Sequence, residues 1–243
     1  MTTTERPIID IENLTKTYGF LPVLRGVSFQ VQRGEFVALL GANGSGKSTL
    51  LKLLCGLTQP TNGKIAVGGW QMPQEARAVR SQIGLVSHKS LIYPTLTGYE
   101  NLAFFARLYG ITPNANALNA LLESVGLRKA GTRPARTYSR GMMQRLSIAR
   151  ALLPNPHLLL LDEPYTGLDQ EASHALDALL QDTHGAGHTL IMTSHDLASV
   201  ARLAKRIIII NKGKVAHDAP NEGLSPLALA ELYAHATGER FNG

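Results

Sequence analysis

The sequence predicts an α/β fold, with a parallel sheet covered by helices on both faces, antiparallel strands before it and a helical block inserted into it. Three observations carry that expectation. Phe36–Leu40 is a short apolar run that breaks into glycine and continues as an apolar helical stretch, Leu50 to Leu57. Later, the apolar runs Leu158–Leu161, Thr189–Thr193 and Ile207–Ile210 alternate with helical stretches at Ala172–Leu180 and Leu197–Leu203. Such alternation produces parallel strands buried on both sides. Between these two parts, residues 90–155 read as helix throughout. The 243 residues therefore form one domain, with 1–89 and 156–243 as the core and 90–155 as the insertion.

Taken in order, Ile8 to Leu14 reads as a strand, with Thr-Lys-Thr-Tyr18-Gly19 as a turn, and Val23 to Val31 as a second strand. Two strands at turn spacing predict antiparallel pairing. After the glycine loop and its helix, the cluster Thr58–Gly63 is a turn and Lys64–Val67 a short strand. Pro73–Arg80 is a short helix with proline at its start, and Ile83–Val86 another strand. Thr97-Gly-Tyr-Glu100 is a capping box, followed by Leu102, Phe105, Ala106 and Tyr109 at helical spacing. Pro113 opens a second helix with Leu118, Leu121, Leu122 and Val125, closed by Gly126. A third begins at Ser139 and runs through Met142, Met143, Leu146 and Ala149 until Pro154. A hairpin at Asn211–Gly213 and a helix over Pro226–Ala236 complete the chain.

Composition narrows the setting. Hydrophobic residues make up 44% of the chain, which is ordinary for a globular protein, and the longest apolar runs are far too short to cross a bilayer. Met1-Thr-Thr-Thr-Glu-Arg-Pro lacks the apolar stretch of a signal peptide. The single cysteine, Cys55, excludes an internal disulfide and falls in the apolar helix, where it packs. These features predict a cytoplasmic chain. The net charge of +6 suits phosphate ligands, nucleic acid or an anionic membrane face, but it is spread along the chain without a like-charged run.

Gly41, Ala42, Asn43, Gly44, Ser45, Gly46, Lys47, Ser48 and Thr49 carry the clearest chemistry, because they fit GxxxxGK[ST] between a strand and a helix. Glycines at 41, 44 and 46 let backbone N–H groups converge on phosphate oxygens at the helix N-terminus. Lys47 brings a charge to the β- and γ-phosphates, and the Ser48 hydroxyl can ligate Mg²⁺. These residues predict a nucleotide phosphate and Mg²⁺ as the ligands. Asp162 and Glu163 stand at the end of the Leu158–Leu161 strand, on the edge where open α/β sheets bind ligands. Beside a phosphate loop, Asp162 would hold Mg²⁺ and Glu163 would act as general base on the attacking water. His195 ends the next strand and can donate to a γ-phosphate. Asp169 lies shortly after Glu163 and also suits an N-cap. Tyr18 can stack on a base or simply pack at the surface.

Taken together, these motifs resemble the nucleotide-binding subunits of ATP-binding cassette (ABC) transporters over essentially the whole chain. The resemblance implies a RecA-like P-loop NTPase core with an antiparallel β subdomain and an inserted α-helical subdomain. It assigns Tyr18 to adenine, Leu158–Glu163 to Walker B, Gly167-Leu168-Asp169 to the D-loop and His195 to the switch position. Tyr138-Ser139-Arg140-Gly141-Met142 stands at the signature motif, commonly Leu-Ser-Gly-Gly-Gln. Here Ser139 and Gly141 are kept while Arg140 and Met142 depart from the pattern. The family presents this helix start in trans, which implies an ATP-bound homodimer. His88 falls where the family places the Q-loop glutamine, and is expected either to reach Mg²⁺-bound water or only to shape the loop. The family also implies a transmembrane permease partner and peripheral placement on the inner face of the membrane. Ser-His in the Q-loop with Ser-Arg-Gly-Met resembles haem exporter ATPases of cytochrome c maturation, and drug or lipid exporter ATPases are similar. A soluble family member acting on nucleic acid or ribosomes usually has two cassettes or a coiled-coil insertion, and the chain has neither.

Overall fold

The computed structural model describes residues 6–87 and 90–238. Six strands form the main sheet in the order β10-β9-β3-β8-β7-β6, where β3 is Phe36–Leu40, β6 Ile83–Val86, β7 Leu158–Asp162, β8 Thr189–Thr193, β9 Arg206–Asn211 and β10 Lys214–Pro220. Pairings from β9 to β6 are parallel, and β10 joins as an antiparallel edge. The register decides where the chemistry lies. Leu39 pairs with Thr193, and Thr193 with Asp162, so the exits of β3, β8 and β7 form one row.

Each central strand feeds two cores, as its two-residue period requires. Phe36, Ala38 and Leu40 face one side with Leu159 and Leu161, while Val37 and Leu39 face the other with Leu158 and Leu160. The first core is continuous with α3 (Gly98–Leu108), α4 (Ala115–Ser124) and α5 (Arg140–Leu152), which lie between β6 and β7. It also takes α6 (Gln170–Gly185), α7 (Leu197–Leu203) and α8 (Pro226–Thr237). The second core holds α1 (Lys47–Leu54) beneath an antiparallel sheet of order β2-β1-β4-β5. In that sheet β1 is Ile9–Tyr18, β2 Leu21–Val31, β4 Asn62–Val67 and β5 Trp70–Met72. A short helix, α2 (Ala76–Ser81), follows it. Cys55 is buried in this second core, as expected, and burial pushes its thiol up to about 12.

Several boundaries differ from the sequence reading, each for a local reason. β1 does not end at Leu14 but runs on to Tyr18, because register shifts near Asn13 (φ 47°) let the strand resume. Tyr18 is therefore a strand end paired with Leu21, not a turn residue. Helix α1 begins three residues before Leu50, directly at Lys47, and closes at Cys55 before Gly56. Pro73 does not open α2; a turn carried by Gln71 and Glu75 comes first, and the helix starts at Ala76. Nor does Pro113 open α4, since the Asn114 side chain takes the Ala117 N–H and caps it. The three-residue strand β5 is too short to show a period in sequence. The capping box at Thr97 and Glu100 and the Ser139 cap of α5 form as expected.

Candidate functional site

A cleft of about 600 Å³ opens over the row of strand ends. Its floor is the loop from β3 to α1. Gly46 is the N-cap of α1 at φ 115°, and a Cβ there would sit 2.6 Å from the Leu24 side chain, so the turn admits only glycine. A Cβ on Gly41 would run into the Ile210 carbonyl.

Ala42, Asn43, Gly44, Gly46, Lys47, Ser48 and Thr49 line the cleft. Gly41 and Ser45 lie behind it. Gly41 supplies the carbonyl that accepts from Lys47 Nζ at 2.7 Å, and the Ser45 hydroxyl is buried without a hydrogen-bond partner. Lys47 is 6% exposed, and burial lowers its pKa against the opposing pull of Glu163 and Asp162. Its ammonium is folded back on loop carbonyls, the second being Ala42 at 3.3 Å. Tyr18, Leu21 and Val23 form the outer wall, and Lys16 Nζ lies 4.7 Å from the centre of the Tyr18 ring.

On the opposite wall stand Glu163, Thr166 and His195. Glu163 has φ 52°, a left-handed conformation that is costly for a side chain of its size and clusters at active sites. Its N–H donates to Thr193 Oγ1 at 2.9 Å, which holds the turn. Burial raises the Glu163 pKa, while His195 and Lys47 act in the opposite sense. His195 Nε2 approaches Glu163 Oε1 to 3.2 Å, and Oε1 is buried and takes no hydrogen bond.

Asp162 lies just below, where Oδ1 accepts from Ser48 Oγ at 3.2 Å and from Thr193 Oγ1 at 2.9 Å. The pairing of a hydroxyl and a carboxylate at the mouth of a phosphate loop fits Mg²⁺, which favours oxygen and takes few protein ligands. Among the described residues no group of three or more His, Cys, Asp or Glu side chains could hold a metal.

The structure does not bring every expected residue to this cleft. Ser139, Gly141 and Asp169 are absent from its walls. Ser139 caps α5 by accepting from the Met142 N–H at 3.2 Å, and Asp169 caps α6 by accepting from Ala172 at 2.8 Å. The two helix starts interlock, since Gly141 leaves room for Ala172 and the Arg140 guanidinium lies against Gly167. His88 lies outside the described residues. Residues that the sequence did not flag for the site include Leu21, Val23, Thr166 and Thr193. Thr193 was visible only as the last residue of an apolar run.

Comparison with known proteins gives the family. Residues 24–166 match the family model described as ABC transporter. The chain is 38% identical over 211 residues to the linearmycin resistance ATP-binding protein LnrL of Bacillus subtilis, spanning 86% of this chain and 68% of that protein. It is 37% identical over 220 residues to the Nod factor export ATP-binding protein I of Ralstonia nicotianae, spanning 89% and 68%. Among solved structures, a dimeric ATP-binding cassette in a post-hydrolysis state with ADP and Pi superposes with a TM-score of 0.79 at 28% identity. That match covers 89% of this chain and 100% of the other.

Proposed function

The chain belongs to the ABC transporter family of ATP-binding, ATP-hydrolysing subunits, and we propose that it powers export through a separate membrane-spanning partner, using sites completed by a second copy of itself. The observation that carries the reading is the Glu163 carboxylate, half-buried beside His195 in one cleft with Lys47 and Ser48. It stands where a base must stand to act on water aimed at a terminal phosphate.

On this reading the loop N–H groups and Lys47 bind the phosphates of ATP, with Lys47 exchanging loop carbonyls for phosphate oxygens. Ser48 and Asp162 would hold Mg²⁺, which when bound neutralises charge on the phosphate oxygens. Glu163 takes the proton of the attacking water, a role helped by a pKa raised through burial. His195 orients Glu163 and donates toward the phosphoryl oxygens. Tyr18 supplies a stacking face for the adenine. Ser139 and Gly141 lie off their own cleft, which supports their use in a second copy. There the N-terminus of α5 would meet the terminal phosphate.

The membrane partner is supported by two features. Among the described residues no helix is long and apolar enough to cross a membrane. In addition, Leu57, Leu91 and Tyr109 are exposed around an apolar cavity of about 200 Å³ beside β6 and α5. Such a patch suits a protein contact, and supports docking of the chain on a membrane-embedded partner. As to cargo, the names of its relatives, linearmycin resistance and Nod factor export, favour export of that kind. They lend no support to the haem export suggested by the Ser-His and Ser-Arg-Gly-Met motifs.

Glu163→Gln tests the mechanism. ATP binding is expected to persist, an ATP-dependent dimer to accumulate on size exclusion, and kcat to fall by about 10²–10⁴-fold. Turnover close to that of the parent chain would remove Glu163 from the role of base.

A further inference from the structure

The two loops that carry Glu163 and His195 each run directly into a helix. Glu163 leads through Tyr165 and Asp169 into α6, and His195 leads through Asp196 into α7. Beneath the cleft a line of hydrogen bonds joins these helices. Tyr165 Oη donates to Asp177 Oδ1 at 2.7 Å. Asp177 Oδ2 accepts from Arg202 Nε at 2.9 Å and Nη2 at 2.6 Å. The same Nη2 donates to Ser199 Oγ at 3.0 Å, and Ser199 Oγ donates to Asp196 Oδ2 at 2.7 Å. Asp196 closes the line, because Oδ1 accepts from the Ala198 and Ser199 N–H groups and fixes the start of α7.

This arrangement exceeds what packing α6 requires. The buried face of α6 is otherwise formed by Leu176, Leu179, Leu180 and the hydroxyl of Thr183. Asp177, 7% exposed on that face, is a carboxylate where an apolar side chain would pack without needing a partner. Tyr165 is 8% exposed and Ser199 fully buried, so the hydroxyls cannot trade these bonds for water. The paired N–H contacts from Arg202 fix direction as well as distance. Both ends of the line lie on a small pocket formed by Glu163, Tyr165, Thr166, Ser194, His195 and Asp196.

We propose that Tyr165, Asp177, Arg202 and Ser199 form a positioning relay that holds the His195 loop against the Glu163 loop, keeping the two side chains at their 3.2 Å approach during turnover. The relay acts through the two loops. It rests on the proposed roles of Glu163 and His195 in hydrolysis. A displacement of about 1 Å between reacting groups lowers a rate by roughly 100-fold, so a line of short bonds is a suitable device.

The test uses the 243-residue chain with Tyr165→Phe, Asp177→Asn and Arg202→Lys, and Thr183→Val as a control. Thr183 is equally buried on α6, and its hydroxyl bonds only along its own helix, to the Leu179 carbonyl at 2.7 Å. For each chain, kcat, KM for MgATP, ATP affinity and thermal midpoint are measured. Tyr165→Phe and Asp177→Asn are expected to lower kcat by about 10- to 100-fold with ATP affinity unchanged within about twofold. Arg202→Lys, which keeps the charge but not the paired geometry, should fall between them and the parent. Thr183→Val should lower the midpoint and keep kcat. If Asp177→Asn does not fold, Tyr165→Phe decides alone, since it removes one oxygen atom. The relay is overturned if Tyr165→Phe keeps the parent kcat, or if kcat tracks the thermal midpoint across all four chains. Because every relay result is a ratio to the parent, it remains readable if Glu163→Gln stays active and the base assignment fails.

Discussion

Thr193 is buried at the end of β8, and its single hydroxyl serves both acidic positions of the site. It accepts from the Glu163 N–H and donates to Asp162 Oδ1, each at 2.9 Å. A valine has the same shape and can do neither, leaving a buried N–H unmatched in a turn already held at positive φ. Thr193→Val is therefore expected to lower stability by about 1–3 kcal/mol in denaturant unfolding. It should also lower kcat by about tenfold with ATP affinity little changed, as a small shift of the base would. Parent-like turnover would show that the left-handed Glu163 turn stands without Thr193. The contrast with Lys47 is instructive. The phosphate loop, Asp162, Glu163 and His195 are legible in sequence because phosphate chemistry demands those residue types at strand ends. Thr193 and Asp177 are not, because what matters is a contact across 30 or 12 positions of chain, and a threonine in a strand or an aspartate in a helix is unremarkable alone.

At the scale of elements, the N-caps separate stability from function. Thr97 and Ser139 cap α3 and α5 in the same way, each accepting from the backbone N–H of the third helical residue. Thr97 belongs to a full capping box, with Glu100 returning to the Thr97 N–H at 2.8 Å. Replacing either by alanine should cost about 1 kcal/mol of stability. The outcomes should part in the ATP-dependent dimer. Thr97→Ala is expected to leave it intact, while Ser139→Ala weakens it by about an additional 1.5–3 kcal/mol, the worth of one hydrogen bond to a charged group. Equal effects on the dimer, read by sedimentation with ATP, would reduce Ser139 to a cap. Most elements were legible from period and capping alone. The misplaced starts of α2 and α4 share a cause, since Pro73 and Pro113 both favour a helix entry but each lies before the cap. The tail of β1 was lost because its register shifts break the alternation that marks a strand.

For the whole molecule, the proposed reading is that one chain does not complete a site. The row of strand ends gathers Lys47, Ser48, Asp162, Glu163 and His195, whereas Ser139 and Gly141 do not line that cleft. A two-fold dimer would repair both clefts at once, because a closed symmetric pair uses each surface twice. This arrangement can be tested by mixing two inactive chains. Lys47→Ala destroys the phosphate loop and keeps the start of α5, and Ser139→Arg does the reverse. In a mixed dimer with sites shared in trans, one cleft combines both lesions and the other has neither. Equal mixing should then restore about a quarter of the parent activity, since about half of random dimers are mixed and each holds one intact site of two. Sites built within a single chain would contain one lesion in every cleft, and no turnover would return at any ratio. Recovery that rises and falls with the mixing ratio, peaking at equal amounts, would tie hydrolysis to the pairing of two copies.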